Sequence, residues 1–224
     1  MDHRTLWADS RSRHPLHQPS PSRPQTGQTV LQRQLQAGAP ARRTTALDAF
    51  ALAKRRFLHG QRVDMGGLSR ELGVNRATLY RWVGTREQLL VEILWSLAER
   101  TLADELKRVE AEDSATNRVA RLLSSFVRIC LSNPGLRQLQ YDEGELAFRL
   151  LTLAPHGFHP RFVALVRDLL AEDVAAGRLD TPVPLDDLAY TAVRIVESYV
   201  HRAAITGDEP DADRATRVLH ALLR

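Results

Sequence analysis

The chain has 224 residues, of which 43% are hydrophobic and 26% are charged, as in an ordinary globular protein of one or two domains. No apolar run approaches the roughly 18–20 residues of a membrane span, and the N-terminus has no secretory signal. A single cysteine, Cys130, excludes an internal disulfide and predicts a reducing, cytoplasmic location. Because it lies in the apolar pattern SSFVRICLS, we interpret it as a buried structural thiol rather than a nucleophile.

Charge divides the sequence into three parts. Residues 1–43 carry seven Arg against two Asp, residues 44–90 carry eight basic against four acidic residues, and residues 91–224 carry sixteen basic against twenty-one acidic residues. A basic front before an acidic back suggests that the front meets a polyanion, although a solvated basic surface gives the same distribution. Residues 1–43 also lack an apolar period, so we interpret them as a disordered basic extension, either inert or an arm that touches DNA.

From Thr44 onward the apolar residues recur at helical spacing, without alternating strand patterns or internal repeats. We predict about ten helices, at 44–60, 64–72, 75–83, 86–112, 115–132, 135–140, 143–153, 161–177, 185–207 and 212–223. Gly60 stops the first helix, whose residues at helical spacing are Leu47, Phe50, Ala51, Lys54 and Leu58. The predicted N-caps are Asp64, Asn75, Thr85 and Ser114. This helix count is that of an all-α pair of domains.

Residues 64–83 have the spacing of two helices joined by a tight turn. A small core that holds these helices at a steep angle is expected from two i, i+4 apolar pairs and one turn residue: Leu68, Leu72, Leu79, Val83 and Val74. Gly73 begins the turn, where a positive φ is expected. Asn75 then caps the second helix by accepting from the amide of Ala77 or Thr78.

With Leu79 and Val83 turned inward, the second helix leaves short or flexible side chains facing outward, as a recognition helix in the major groove requires. In this hypothesis Arg76 pairs with guanine O6 and N7, and Ala77 contacts a thymine methyl. Arg86 adds a cation at the start of the next helix, as a second phosphate site. The alternative is an ordinary bundle helix whose aromatic side chains pack. The predicted DNA-binding residues are Asn75, Arg76, Ala77, Thr78, Tyr80, Arg81, Trp82 and Arg86.

The stretch GVNRATLYRWVGTREQLL closely resembles the helix-turn-helix of TetR-type transcriptional repressors. The residues that match the family's pattern are Gly73, Val74, Thr78, Leu79, Tyr80, Val83, Glu87, Leu89 and Leu90. FALAKRRFLHG is similar to the first helix of that domain, so the resemblance covers roughly residues 44–95. Gly66 and Gly67 depart from the pattern, since polar or basic residues are frequent there, and Trp82 stands where a histidine or another aromatic residue is common.

The resemblance implies an all-α regulator with two domains. Residues 44–90 are expected to form a three-helix helix-turn-helix DNA-binding domain, and residues 91–224 a larger helical effector-binding and dimerisation domain. A homodimer is expected to repress transcription from a palindromic double-stranded DNA operator until a small-molecule effector releases it. The apolar faces of 161–176 and 185–205 are the best candidates for a four-helix dimer seam.

The C-terminal half contains the candidate effector site. RIVESYVHRAAITG followed by RATRVLHALL is similar to the C-terminal domain of the QsdR-type subgroup, associated with lactone catabolism, and this implies a small apolar effector such as a lactone. On a helical wheel, Tyr190, Arg194, Glu197 and His201 fall within about 60°. That polar stripe is either a solvated face, a cavity lining or a dimer seam. The predicted ligand-binding residues are Trp95, Phe126, Tyr141, Phe148, Tyr190, Arg194 and Glu197.

Catalytic and metal chemistry find little support in the sequence. His156 and His159 stand three apart in a Pro-bounded loop, but no Cys or carboxylate pattern accompanies them, so we predict neither a metal site nor a cofactor. No catalytic triad, P-loop or dinucleotide fingerprint is present, and neither enzymatic activity nor a membrane partner is expected. Two alternatives remain. One is a helical enzyme that acts on small apolar molecules. The other is a ligand-blind DNA-binding protein, whose aromatic residues close on one another without a cavity: Phe126, Tyr141, Phe148, Phe158 and Phe162.

Overall fold

A computed structural model of the chain describes residues 44–112 and 117–224, and these residues form an all-α fold without strands. The predicted fold class is confirmed, whereas the predicted extension 1–43 and the predicted cap Ser114 lie outside the described residues. A short 3-10 turn, Ala154–His156, links the sixth and seventh helices. The ten helices are α1 (Ala46–Leu58), α2 (Met65–Glu71), α3 (Arg76–Val83), α4 (Arg86–Ala111), α5 (Arg118–Ser132), α6 (Pro134–Thr152), α7 (Phe158–Ala175), α8 (Leu185–Val200), α9 (Arg202–Thr206) and α10 (Ala212–Leu222).

Helix α1 begins at a capping box, in which the Asp48 N–H donates to Thr45 Oγ1 and the Thr45 N–H donates to the Asp48 carboxylate at 2.9 Å. The predicted apolar stripe from Leu47 to Leu58 is not the buried face of α1, because the side chains of Leu47 and Leu58 are 78% and 41% exposed. Small alanines on the buried face instead let α1 pack closely against α3 and α4. The buried residues of α1 are Ala49, Leu52, Ala53 and Phe57.

Helix α4 joins the N-terminal three helices to the rest of the chain. Thr85 caps it as predicted, because the Gln88 N–H donates to Thr85 Oγ1 and the Gln88 side chain accepts from the Thr85 N–H. Its 26 residues run from the helix-turn-helix into the C-terminal core. The predicted domain boundary at residue 90 therefore falls inside one continuous helix.

Asn133 has two roles at the junction of α5 and α6. It ends α5, as the Asn-Pro-Gly pattern predicts, and its side chain also caps α6 by accepting from the Leu136 N–H at 2.9 Å. Pro134 occupies the first position of α6, where a missing N–H costs nothing. The two short helices predicted at 135–140 and 143–153 are joined into α6 across a kink at Glu143, whose φ is −142° and ψ 51°.

The C-terminal helices surround one apolar core. Helices α7 and α8 pack tightly against each other, and α10 lies across α5 and α8. The apolar faces of α7 and α8 are therefore largely buried within the chain, and a dimer seam would use their remaining surfaces. Helix α5 begins at Asn117, whose side chain accepts from the Val119 and Ala120 N–H groups. Within the described ranges, no helix combines the length and apolarity that crossing a membrane requires.

Candidate DNA-binding surface and effector cavity

The segment from Asp64 to Val83 forms the helix–turn–helix that the sequence predicts. Asp64 caps α2 by accepting from the Gly67 N–H at 2.6 Å, and this hydrogen bond lowers the pKa of Asp64. Gly73 makes the turn with φ at +65°. Asn75 caps α3 by accepting from the Thr78 N–H at 2.7 Å. Leu79, the fully buried residue of α3, packs in the core of this domain and fixes which side of α3 faces outward.

Helix α3 presents its basic residues to solvent. Arg76, Ala77, Tyr80 and Arg81 are all exposed. Neither arginine forms a salt bridge within the part of the chain that the structure describes, although the charge of Arg76 helps to lower the pKa of Asp64. Their guanidinium donors therefore face solvent. Such a surface suits phosphate and base-edge contacts.

The two glycines of α2 make room for two arginines. A Cβ added to Gly66 would lie 2.5 Å from Arg76 Nη2, and a Cβ added to Gly67 would lie 2.9 Å from Arg56 Nη1. The absence of side chains at these two positions therefore allows both guanidinium groups to lie over the start of α2. This gives the departure from the family pattern a steric reason, which the sequence alone did not reveal.

Two further predicted DNA-binding residues are only half-exposed. Thr78 and Trp82 are partly buried, and Trp82 packs against the apolar core. For Trp82, this contact favours the alternative in which the aromatic ring packs within the domain.

Arg86 is engaged inside the protein rather than presented to phosphate. Its Nη1 and Nη2 donate to the two oxygens of Glu143 at 2.8 and 2.6 Å, and its Nε donates to the Val63 carbonyl at 2.6 Å. The Arg86 hydrogen bond lowers the pKa of Glu143, which also accepts from Arg62. Because three of its five N–H donors and its charge are engaged inside the protein, the structure favours a structural role for Arg86 over the predicted phosphate contact. The sequence could not show this, since Glu143 lies fifty-seven residues away.

An apolar cavity of about 70 Å³ lies between α1 and the helices of the C-terminal domain. Its lining includes Phe57, which belongs to the helix-turn-helix domain and was not predicted. The cavity is thus lined both by α1 and by the C-terminal helices. The residues that line it are Phe57, Leu94, Leu97, Ala98, Thr101, Phe126, Ile129, Cys130, Asn133, Leu136, Leu151, Phe158, Phe162, Val196, Glu197, Val200 and His201.

Of the predicted ligand-binding residues, Phe126 and Glu197 line the cavity. Trp95 and Phe148 stand behind its wall, in edge contact with the rings of Phe158 at 5.7 Å and His201 at 5.4 Å. The three other predicted residues do not reach the cavity: Tyr141, Tyr190 and Arg194.

Each of these three side chains is kept away from the cavity by its position on the surface. Tyr141 is 87% exposed on the outer side of α6, just before the kink. Tyr190 is 52% exposed, with its ring edge against His159. Arg194 is partly exposed and donates to Glu197 from outside the cavity. The α8 polar stripe is therefore divided, since Glu197 and His201 are buried while Tyr190 and Arg194 are not.

Glu197 is the buried carboxylate of the cavity wall. One oxygen lies 2.7 Å from His159 Nδ1, and the other accepts from Arg194 Nη1 at 2.6 Å. Burial raises the pKa of Glu197, although both partners act in the opposite direction. His159 is thus paired with Glu197, and the described residues contain no cluster of three or more groups suited to a metal ion.

His201 lies beside Glu197 at the break between α8 and α9. Gln140 Nε2 donates to the Val200 carbonyl at 3.1 Å and lies 3.4 Å from His201 Nδ1. His201 Nε2, which is also buried, has no hydrogen-bond partner in the described structure. Burial, together with the charge of Arg194, lowers the pKa of His201 to about 4, so the ring is neutral at physiological pH.

Cys130, predicted to be buried, lies in the apolar cavity wall but is only partly buried. Burial raises the pKa of its thiol to about 12. Since the thiolate is the reactive form, this environment agrees with a structural thiol rather than a nucleophile.

Comparison with known proteins agrees with this architecture. A family model described as a tetracyclin repressor-like C-terminal domain matches residues 115–224. The structure of QsdR, a TetR-family transcriptional repressor of R. erythropolis, superposes with a TM-score of 0.69 at 26% identity, covering 80% of this chain and 93% of that chain. No curated protein matches the chain significantly.

Two other solved structures are similar in fold alone. AlkX of Dietzia, a TetR-family repressor implicated in the biodegradation of n-alkanes, gives a TM-score of 0.50 at 19% identity, covering 80% of this chain and 93% of that chain. FadR of Bacillus subtilis, solved with stearoyl-CoA, gives 0.51 at 10% identity, covering 80% and 99%.

Proposed function

We propose that this chain, which belongs to the TetR family of transcriptional regulators, binds a palindromic operator as a homodimer and is released from it by a small, mostly apolar effector. The observation that carries the proposal is the lining of the cavity, because Phe57 belongs both to that lining and to the helix-turn-helix domain. A molecule that fills the cavity therefore touches the DNA-binding domain directly. This role is regulatory rather than enzymatic.

The DNA-reading residues that the geometry supports are the exposed ones of α3. Arg76 and Arg81 supply exposed cations, Tyr80 supplies a hydroxyl, and Ala77 supplies a methyl group at the start of the helix. One such helix buries too little surface for specific affinity, so two copies about 34 Å apart are needed. The outer face of α8, where Tyr190 is half-exposed, is the candidate seam.

Two contacts support mechanical coupling between the cavity and the reading helix. The start of α6 rests on the end of α1, where a Cβ at Gly135 would collide with the carbonyl oxygen and ring of Phe57. Glu143, at the kink of the same helix α6, holds Arg86 at the first position of α4. A movement of α6 therefore displaces the DNA-binding domain at two points.

The size of the cavity indicates how an effector would act. At about 70 Å³ it is roughly half of the ~150 Å³ apolar cavity that accommodates benzene. A medium-chain molecule that fills the cavity is therefore expected to separate the lining helices. Such a molecule would release the operator if it prefers a conformation in which the two α3 helices of the dimer are displaced. Lactones are our first candidates, since their chain suits the aromatic wall around Phe126 and Phe162, whose rings are 5.2 Å apart.

The experiment that tests this function begins with sequencing of protein-bound DNA, which identifies the operator. Fluorescence anisotropy of the full chain on that operator should give specific binding that a lactone panel weakens 5–150-fold, as expected for a coupling of about 1–3 kcal/mol. Light scattering should show a dimer at micromolar concentration. An operator complex that forms but that no panel member dissociates would favour the ligand-blind alternative, and a monomer that binds the operator specifically would contradict the dimeric arrangement.

A further inference from the structure

His201 is a buried polar group that the fold leaves unsatisfied. It is only 3% exposed, and it lines a cavity whose other lining residues are mostly apolar. A buried donor without a partner is strongly unfavourable, and native proteins retain few of them. Four buried side-chain atoms lack partners in the described structure: Arg149 Nε, Arg202 Nε, His220 Nε2 and His201 Nε2. Of these, His201 Nε2 alone belongs to a residue that lines the cavity.

The neighbouring amide determines which His201 nitrogen carries the proton. Gln140 Nε2 donates to the Val200 carbonyl at 3.1 Å, and this acceptor fixes the orientation of the Gln140 amide. The same nitrogen lies 3.4 Å from His201 Nδ1. Because an amide NH₂ can only donate, Nδ1 is the acceptor and the ring proton is on Nε2. The unpaired atom is therefore a neutral N–H donor.

Such a donor requires a ligand that presents a hydrogen-bond acceptor. Of the other polar groups of the wall, Glu197 binds His159 and Arg194, and the Asn133 side-chain oxygen caps α6. The Thr101 hydroxyl and the Asn133 amide NH₂ are further neutral groups of the lining residues. An anionic ligand would meet the Glu197 carboxylate and a neutral imidazole, with no free cation lining the cavity. A charge buried in that setting is costly, whereas a carbonyl oxygen is satisfied by one N–H.

We infer that the cavity binds apolar molecules that carry a neutral carbonyl group, and that His201 Nε2–H is the donor that recognises the carbonyl oxygen. The chemical class is esters, ketones, lactones and amides of short or medium chain, with carboxylates and plain hydrocarbons disfavoured. The inference rests on the proposed function for the cavity as an effector site. Arg194, the cation among the predicted ligand-binding residues, does not line the cavity, and His201 supplies the donor instead.

Direct binding to the full, DNA-free chain tests the inference. Methyl hexanoate, hexane and hexanoate share a chain and differ in the head group, and calorimetric titration measures each affinity. The ester should bind about tenfold more tightly than either of the other two, the ratio that one buried hydrogen bond of typical strength gives. Equal affinity for ester and hexane, a preference for hexanoate, or no binding of any of the three would overturn the inference.

Variants separate recognition from a structural role of His201. H201F removes the donor but keeps a flat ring, and should abolish the preference for the ester while the melting temperature stays level or rises. H201Q retains an N–H close to the Nε2 position and should restore much of the preference. H220F is the matched control, since it removes another unpaired buried imidazole nitrogen that lies away from the cavity. It should leave the preference unchanged.

A preference for the ester that survives in H201F would overturn the role of His201, as would a large drop in melting temperature together with equal losses for all three molecules. The operator titration reports on a different point. If the ester binds through His201 and the operator complex is unaffected, the proposed release mechanism fails while the head-group assignment stands.

Discussion

The turn between α2 and α3 and the inner wall of α8 both contain polar side chains on short helical segments, yet they differ in how much the sequence reveals. In the first region, Asp64, Gly73 and Asn75 act on residues within three positions, so local rules decide their roles. In the second region, Glu197 and Arg194 are only three residues apart but lie on opposite sides of the cavity wall. Local signals therefore predict a recognition helix better than they predict a binding cavity.

The two regions should also differ in how much stability they lose when a leucine is replaced by alanine. L79A removes a fully buried side chain from the apolar core beneath α3 and should lower the free energy of unfolding by about 3 kcal/mol. L97A removes a partly buried side chain beside an existing cavity and should cost about 1–2 kcal/mol. Chemical denaturation of both variants measures the difference, and equal losses would show that the two regions are packed alike.

Acid should destabilise the cavity wall more than the helix-turn-helix. The pKa of His201 is about 4 in the folded chain and 6.5 when unperturbed, so the unfolded chain binds more protons between these values. Stability therefore falls as pH decreases from about 6.5 through about 4. H201F should remove this loss, which is on the order of 3 kcal/mol at most. Glu197, whose pKa is raised, contributes with the opposite sign and is present in both proteins.

Denaturation at several pH values measures the effect. If wild type and H201F lose stability in parallel as pH falls, then His201 is not the neutral buried imidazole described above.

Arg76 tests whether the exposed face of α3 reads DNA. R76A should weaken operator binding by about 1–3 kcal/mol and relax the base preference at one position. R100A is the control, because Arg100 is equally charged and exposed but lies on α4 and pairs with Asp104. Anisotropy with an operator library reports both quantities. Unchanged affinity and base preference in R76A would show that Arg76 is not one of the residues that contact the operator bases.

Substitution of Gly66, which lies next to the Arg76 guanidinium, should have a smaller effect on operator affinity than R76A. In G66A the new Cβ would lie 2.5 Å from Arg76 Nη2, so the guanidinium must shift. Because only the flexible end of a side chain is displaced, a loss of a few-fold in operator affinity is expected. The comparison variant is G144A, whose Cβ meets no atom within 4 Å. An affinity in G66A as high as that of G144A would mean that the position of Arg76 over α2 is irrelevant.

The helices, the two caps of the helix-turn-helix and its core were predictable, since each depends on neighbours along one helix or turn. Arg86, Phe57 and His201 were not, because their roles depend on partners far away in sequence. Arg86 meets Glu143, Phe57 reaches a cavity built mainly by the other domain, and His201 is turned inward by the break after α8. The charge pattern of α8 did not indicate which of its polar residues would be buried.

A ligand in the cavity is expected to displace the two α3 helices of the dimer through a movement of α6. The most direct test titrates the operator complex with the tightest-binding neutral carbonyl compound, for wild type and for E143Q. Glutamine keeps the shape of Glu143 but loses the charge that holds Arg86, so the variant should still bind the compound. The wild type should lose operator affinity 5–150-fold on ligand binding, and E143Q should lose much less. No release in a wild type saturated with the compound would contradict the account, and full release in E143Q would assign the coupling to the contact between Gly135 and Phe57 rather than to Glu143.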